Sequence, residues 1–429
     1  MRPVRFRDGV VDVEVETHDV WTLQLGPSFG RSGGENHSSV SFEDSNLLGR
    51  GKTLILEVSQ DVDRDATSFE WRDPNILGGR WQNLISWSDA SDGHAARLAV
   101  WRPFYALNVR RAYGLSLADS RQTDTRYRLG DPFDDYRREQ QWFDAWVGWS
   151  KGLRSGYARR LSLGWRYIED DFTASDAGST RAVLPADRRF SYPYVRVDWI
   201  RDHFHTTRNL ELIDRTEDQH FGLNAMAQLG WTASALGGDR SAALVDVSAG
   251  YGEQVSERQQ WFVNTSFSSR VEGSRNRDQR FGASAAWYLR TSPRTLLHVR
   301  AGVASGHNLD VDHYYELGGD NGLRGYPLRY QLGTGRTLLK IEQRLYTGWS
   351  LWRLLDVGGA AFFDAGRTWG RNPIGTPNLG WLKDAGIGLR LGNSRSSLGN
   401  VIHVDLATPL DGGSDLDQLQ FLVSTEASF

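Results

Sequence analysis

From about Trp21 to Phe429, apolar and polar side chains alternate with a period of two, in short segments split by clusters of Gly, Asp, Asn and Pro. That period puts successive side chains on opposite faces of an extended chain, so the segments predict strands and the clusters predict turns. In the last segment Leu419, Phe421, Val423, Thr425, Ala427 and Phe429 share one face, and Gln418, Gln420, Ser424, Glu426 and Ser428 the other, where Leu422 is the only exception to its polarity. Before it, Ile402, Val404 and Leu406 oppose His403 and Asp405. Val245, Val247, Ala249 and Tyr251 likewise oppose Asp246 and Ser248.

A soluble sandwich alternates in the same way, with one face in its core. Two features point instead to an all-β, closed antiparallel transmembrane β-barrel. The segments continue for nearly the whole chain, and the face opposite the apolar one is rich in Gly and polar groups, as a wet lumen requires. Segment counting gives about 20 strands, each near the ~10 residues a tilted strand needs to cross a bilayer. The number must be even if both ends lie on one side. Hydrocarbon offers no water to a free N–H or C=O, so the wall must close. The first strand, Leu23 to Arg31, is therefore expected to pair with the last, Gln418 to Phe429. This seam, carrying Leu23, Leu25, Phe421, Val423 and Phe429, is the expected weak line, loosened further by Gly26 and Gly30. Short predicted turns include Leu47 to Gly51, Asp73-Pro74-Asn75, Arg102-Pro103-Phe104 and Thr291-Ser292-Pro293; Asp170 to Arg188 and Gly306 to Gly335 are longer loops. Arg201 to Asp218 reads either as a strand or as a long turn.

Composition narrows this only a little. The mean hydropathy of -0.51 looks soluble, but a barrel strand shows lipid only every second side chain. No apolar run reaches the ~18 residues of a helical span. The 17 Trp suit aromatic girdles at membrane interfaces, and the absence of Cys is permitted in an oxidising compartment. A net charge of -3 gives no nucleic-acid footprint. The start, Met1-Arg2-Pro3 with Arg5, Arg7 and Asp8, has no apolar signal core, so the chain is read as trimmed. Residues 1–20 are expected to be a periplasmic stub, where Val11, Val13 and Val15 alternate with Asp12, Glu14 and Glu16; residues 21–429 are the barrel. The expected surroundings are a lipid bilayer with lipopolysaccharide, in the bacterial outer membrane.

The stretch Leu317-Gly318-Gly319-Asp320-Asn321-Gly322-Leu323-Arg324-Gly325-Tyr326 carries the most information. It holds four Gly and no period of two, and Pro327 follows, so it is a compact loop inside residues 306–335, folded inward. It presents Arg324 beside Tyr326 and Tyr330. In the next strand Leu339, Ile341 and Leu345 face lipid, which turns Glu342 to the lumen with Lys340 and Arg344. In the one after, Val357, Ala361, Phe363 and Trp369 face lipid, which turns Asp364 inward. A planar guanidinium matches carboxylates in a bidentate fork, so an inward-folded loop can seat Arg324 on Glu342 and Asp364 together.

The loop from Gly318 to Tyr326, Phe363-Asp364-Ala365-Gly366 with Trp369, and the terminal Phe429 resemble the bacterial surface antigen superfamily. That superfamily includes the outer-membrane assembly factors BamA and TamA and the two-partner secretion transporters. Its barrel loop carries Ile/Val-Arg-Gly-Phe/Tyr, matched by Leu323-Arg324-Gly325-Tyr326 with Leu as a departure. Asn46 to Gly51 and Asp73-Pro74-Asn75 are weaker matches. The resemblance implies a loop lock formed by Gly322, Arg324, Gly325 and Tyr326 on acids matching Glu342 and Asp364. It also implies a C-terminal recognition signal ending in Phe429, sixteen strands and preceding polypeptide-transport-associated (POTRA) domains. The segment count departs from sixteen, and only Val10 to Thr17 offers a trace of such a domain.

Other motifs are weak. Asp61 to Asp65 starts like a calcium loop, but Ala66 stands where Gly is needed and Arg72 where Glu is needed. His203 and His205 share a face without a third ligand at a fixed spacing. Gly30-Arg31-Ser32-Gly33-Gly34 lacks a phosphate-loop context and reads as an external turn. No Ser/His/acid cluster is placed by a motif, so no enzyme, cofactor or metal is expected. The expected function is to assist insertion or translocation of unfolded outer-membrane or secreted proteins through the seam. The alternative is a passive pore.

Overall fold

The computed structural model describes residues 2–427 apart from 8, 15–21, 77, 176–182, 214, 353, 373, 394–399 and 414–415. Twenty strands close into one antiparallel barrel, from Leu23–Ser32 to Gln420–Ala427. The segment count matches this; the sixteen strands implied by the resemblance are not what the chain forms. With an even number, the first strand begins and the last ends at one end of the barrel, here called the terminal end.

The alternation read from the sequence sets the two faces. Val195, Val247, Leu229, Ile387 and Leu389 are exposed on the outside, whereas Asp144, Gln228, Arg270, Glu342 and Arg390 are buried inside. An apolar exterior around a polar interior is the reverse of a soluble protein and calls for hydrocarbon outside. Trp87, Trp149, Trp231 and Trp287 are among the exposed aromatic side chains.

Three two-stranded pieces stand apart from the wall. Arg2–Arg7 pairs with Val10–Glu14 at the N-terminus, with the side chains of Val10–Glu14 exposed. Phe204–Arg208 pairs with Thr216–His220, which resolves the ambiguous segment after Arg201 as a hairpin that is not part of the wall. Tyr315–Leu317 pairs with Gln331–Gly333 inside the long loop that joins Thr295–His307 to Gly335–Leu351. Counting strands from the first, the hairpin enters at the terminal end and the long loop at the far end.

Two expectations need correcting. Asp73-Pro74-Asn75 is not a turn: it lies within Asp65–Ile76, where the register shifts between Asp73 and Ile76. A bulge tolerates a proline that lacks its N–H. Gly30 does not simply loosen the first strand. A Cβ there would meet the His37 ring of the neighbouring strand at 1.7 Å, so the glycine seats that ring.

The seam is thin. The first strand pairs with the second at ten positions and the last with its predecessor at eight. Across the seam the described residues pair only at Val423 and Arg31. Pro27 lies in the first strand and has no N–H to donate. Leu23, Leu25 and Phe421 are exposed on this part of the wall; Phe429 lies outside the described residues.

The two faces predict opposite responses to charge. Val247→Arg, on the outer face, should cost ~2–4 kcal/mol. Ser248→Arg, on the lumen side, should cost about 1 kcal/mol or less. Denaturant unfolding from lipid vesicles measures both; equal costs would contradict the assigned orientation.

Candidate functional site

The long loop folds into the lumen because its own apolar side chains need cover. Leu317, Leu323, Tyr326 and Tyr330 are buried together with Leu382 of the wall, and Leu338 and Leu416 pack against them. The turn that presents Arg324 demands glycine. Gly322 sits at φ 138°, and a Cβ on Gly325 would lie 2.7 Å from the Asp384 Cβ. The Tyr326 hydroxyl lies 2.9 Å from the Lys383 carbonyl oxygen and 2.6 Å from that of Asp411, and accepts from the Lys383 N–H at 3.2 Å.

The backbone thereby places Arg324 on both acids read from the strand phases. Nε and Nη2 donate to the Asp364 carboxylate at 2.7 and 2.9 Å, and Nη1 donates to Glu342 at 2.8 Å. Nη1 also donates to Asp405 at 3.3 Å. Two further arginines complete the cluster. Arg390 donates to Glu342 at 2.8 Å and also bonds Asp405, and Arg344 donates to Glu342 at 2.8 Å. Arg324, Arg344 and Arg390 thus face Glu342, Asp364 and Asp405, all buried. Against the cost of burial, the three carboxylates hold the Arg324 guanidinium above its ordinary pKa.

One aromatic contact joins this cluster to the last strand. The guanidinium carbon of Arg324 lies 3.4 Å from the centre of the Phe362 ring. Desolvated cation–π contacts contribute about 2 kcal/mol. Phe362 in turn packs on Ala407 and Leu422. Leu422, the one apolar residue on the polar face of the final segment, thus points inward as part of the Arg324 site.

The loop is held at two other places. At its start, Arg188 binds Asp312 through two nitrogens at 2.8 and 2.7 Å, and Arg270 binds Asp310 at 2.7 and 2.9 Å. Burial opposes ionisation of Asp312, yet Arg188 holds its carboxyl down at about 2. After the arginine turn, Arg329 grips Asp63 at 2.8 and 2.6 Å, and Tyr127 donates to Asp63 at 3.1 Å. The segment that starts like a calcium loop is thus a docking point for the plug. Close by, burial, aided by Asp320 and Asp63 and opposed by Arg329 and Arg336, pushes the Glu316 carboxyl up to about 7.

Sequence reasoning missed Asp405, Arg390 and Phe362, and missed that Arg344 joins the cluster. Their inward phase is legible, but their convergence on Arg324 is set by barrel closure. The Asp63, Arg188 and Arg270 anchors carry no local signal. His203 and His205 bring their Nε2 atoms to 2.8 Å at the root of the inner hairpin. Asp278, Asp310 and His313 bring ligand atoms within 4.8 Å of one another, but Arg270 already grips Asp310.

No family model and no curated protein matches the chain. Among solved structures it is similar to BamA from Haemophilus ducreyi lacking POTRA domains 1–3, at 12% identity over 94% of this chain and 71% of that one, with a TM-score of 0.45. It is similar to CdiB from Escherichia coli at 15% identity over 98% of this chain and 65% of that one, with a TM-score of 0.43. It is also similar to OccK11 (OpdR) from Pseudomonas aeruginosa, at 12% identity over 94% and 93%, with a TM-score of 0.37. All three scores lie below 0.5, so the functional reading rests on the site's own geometry.

Two outcomes follow from the site. Arg324→Ala leaves three buried carboxylates short of a cation and should cost ~3–5 kcal/mol. Arg324→Lys should recover only part, because an ammonium restores charge without the fork. Thermal unfolding of the folded barrel measures both. The second outcome concerns pH. Glu316 has a docked pKa of about 7, above its ordinary 4.5, so docking is fully supported below pH 4.5 and weakens as pH rises through 7. The stability lost between pH 5 and pH 8 should be ~2 kcal/mol, and Glu316→Gln should flatten the profile. A wild-type profile that rises with pH over this range would contradict the assignment. Asp312 acts separately, losing its contribution only as pH falls from about 3.8 towards 2.

Proposed function

We propose that this protein is an outer-membrane barrel that assists insertion or translocation of unfolded proteins through the seam between its first and last strands, with the Arg324 loop as the lock on that seam. The role is non-enzymatic. The observation that carries it is that one loop touches both sides of a seam paired at a single described position. On one side, the turn after the first strand packs under the loop. Gly33 has φ 55°, and a Cβ there would lie 2.4 Å from the Leu328 nitrogen, while one on Gly319 would lie 2.5 Å from the Gly33 Cα. On the other side, Tyr326 reaches the Asp411 carbonyl, and Leu416 joins the loop's apolar cluster, both in the connection before the last strand. Leu422 of the last strand carries the Phe362 ring beneath Arg324.

Releasing the loop would free both hairpins that flank the seam. An exposed strand edge then templates pairing with an incoming chain through main-chain hydrogen bonds. The partners on this reading are unfolded outer-membrane or secreted proteins, with the surrounding bilayer and lipopolysaccharide.

A second reading, a passive pore, is favoured by a cavity of about 570 Å³ beside the plug, lined by Ser248, Gly250, Asn264, Ser266, Gly302 and Arg336 among others. The two readings differ in their need for an open seam. The chain has no cysteine, so a disulfide between Arg31→Cys and Val423→Cys staples the seam without side reactions. In proteoliposomes the staple should abolish insertion of an unfolded barrel substrate, with recovery on reduction. Steady conductance unaffected by the staple, together with no insertion activity in either redox state, would support the pore. Full insertion activity under the staple would overturn the seam reading.

A further inference from the structure

The Phe204–Arg208 and Thr216–His220 hairpin is a second insert, and it meets the first inside the wall. It joins Arg188–Arg201 to Gly222–Thr232 at the terminal end, opposite the end from which the Arg324 loop enters. Its strands pair with each other and not with the barrel. The tip turns inward, burying Leu210, Leu212 and Ile213 against Tyr288, Leu296 and Tyr346. The wall opens to receive it: a Cβ on Gly392 would lie 2.9 Å from the Ile213 Cβ. The tip is also held in shape by its own chain. The buried Glu217 carboxylate accepts the N–H groups of Leu210 at 2.9 Å and of Glu211 and Leu212 at 3.2 Å. Tyr346 donates to the Asn209 carbonyl at 3.1 Å, and Arg290 to that of Arg208 at 2.7 Å.

One side chain touches this tip and the Arg324 cluster together. Arg344 donates Nη1 to the Leu210 carbonyl at 2.9 Å and lies 3.6 Å from the Glu211 carboxylate. Its Nε donates to Glu342 Oε1 at 2.8 Å, and its Nη2 lies 3.3 Å from His298 Nδ1. Glu342 Oε2 meanwhile receives Arg324 at 2.8 Å. The chain of contacts runs from hairpin tip to Arg344, Glu342, Arg324 and loop with no gap. Its three charged side chains are each at most 10% exposed, so screening by water is weak.

We propose that the hairpin is a second plug and that Arg344 is the positioning residue that couples it to the Arg324 loop, so that the two inserts leave or hold the lumen together. The proposal rests on the reading of the Arg324 loop as a releasable lock. When Arg324 leaves, Glu342 keeps only Arg344 and Arg390 as hydrogen-bonded cations, and Arg344 is drawn towards the carboxylate and off the Leu210 carbonyl. When the tip leaves, Arg344 loses its carbonyl and Glu211, and its geometry on Glu342 is no longer fixed. By linkage, each release promotes the other by the same factor.

The cysteine-free chain gives a clean test. Leu323→Cys reports on the loop and Leu212→Cys on the hairpin, both at buried positions. Maleimide labelling of the folded barrel then reads each release. Arg324→Ala should speed labelling of the hairpin reporter about tenfold, and Ile213→Asp, which expels the tip, should speed labelling of the loop reporter by a similar factor. Both cross-effects should vanish in the Arg344→Met background. Arg344→Lys, which keeps one charge but cannot serve two partners, gives the same readout if the Met variant fails to fold, as judged by heat-modifiable gel mobility. Substitutions that act only on their own insert, or cross-effects that survive loss of Arg344, would overturn the coupling. No substrate is present, so this result is separate from that of the seam staple: coupling can fail while seam insertion stands, and the reverse.

Discussion

A guanidinium buried in the lumen of a barrel must be met by carboxylates, and the placement of this loop depends on that constraint. Arg324 is buried, and an ion there that loses its partners costs several kcal/mol. The demand is met by Asp364, Glu342 and Asp405, on three different strands. Because the acids are fixed to a closed hydrogen-bonded wall, the loop has one seat. The seat then decides which neighbours the loop reaches: Lys383 and Asp411 through Tyr326, Asp63 through Arg329, and the Gly33 turn through Leu328. A buried ion pair contributes little net stability, but it specifies position. Position is the quantity that matters for a plug.

Much of this was legible in the sequence, for a simple reason. A period of two assigns each residue a face, and the face of Glu342 and Asp364 follows from Leu339, Ile341, Phe363 and their neighbours. Glycines at 322 and 325 marked a tight turn around Arg324, and the turn is there. What periodicity cannot give is which inward faces meet across the lumen. Asp405 was placed inward by its phase, but its approach to Arg324, 81 residues away, depends on strand order and closure. Asp312 meets Arg188 across 124 residues and Asp310 meets Arg270 across 40, again by closure of the wall. The hairpin at Phe204–His220 was ambiguous because its apolar tip, Leu210, Leu212 and Ile213, is buried by the lumen and not by lipid. Its side chains therefore carry no barrel phase. Leu422 shows the converse: an apolar residue on the polar face marks a place where the lumen side packs against the site.

The thin seam and the well-anchored loop are complementary. In hydrocarbon a strand edge without partners is costly, so a seam paired only at Val423 and Arg31 among the described residues is the part of the wall with least to hold it. Pro27 removes a donor from that edge. The loop compensates from inside, fixing the turn at Gly33 and the connection at Asp411 without adding a hydrogen bond to the seam itself. Stability supplied this way differs from stability supplied by strand pairing. Ladder bonds along the seam would have to be broken one after another to open it, whereas contacts gathered on a single loop can be released in one movement. On the proposed reading, a wall held at its weakest line by a releasable insert, itself held by one charge cluster, concentrates the control of opening on Arg324 and its carboxylates.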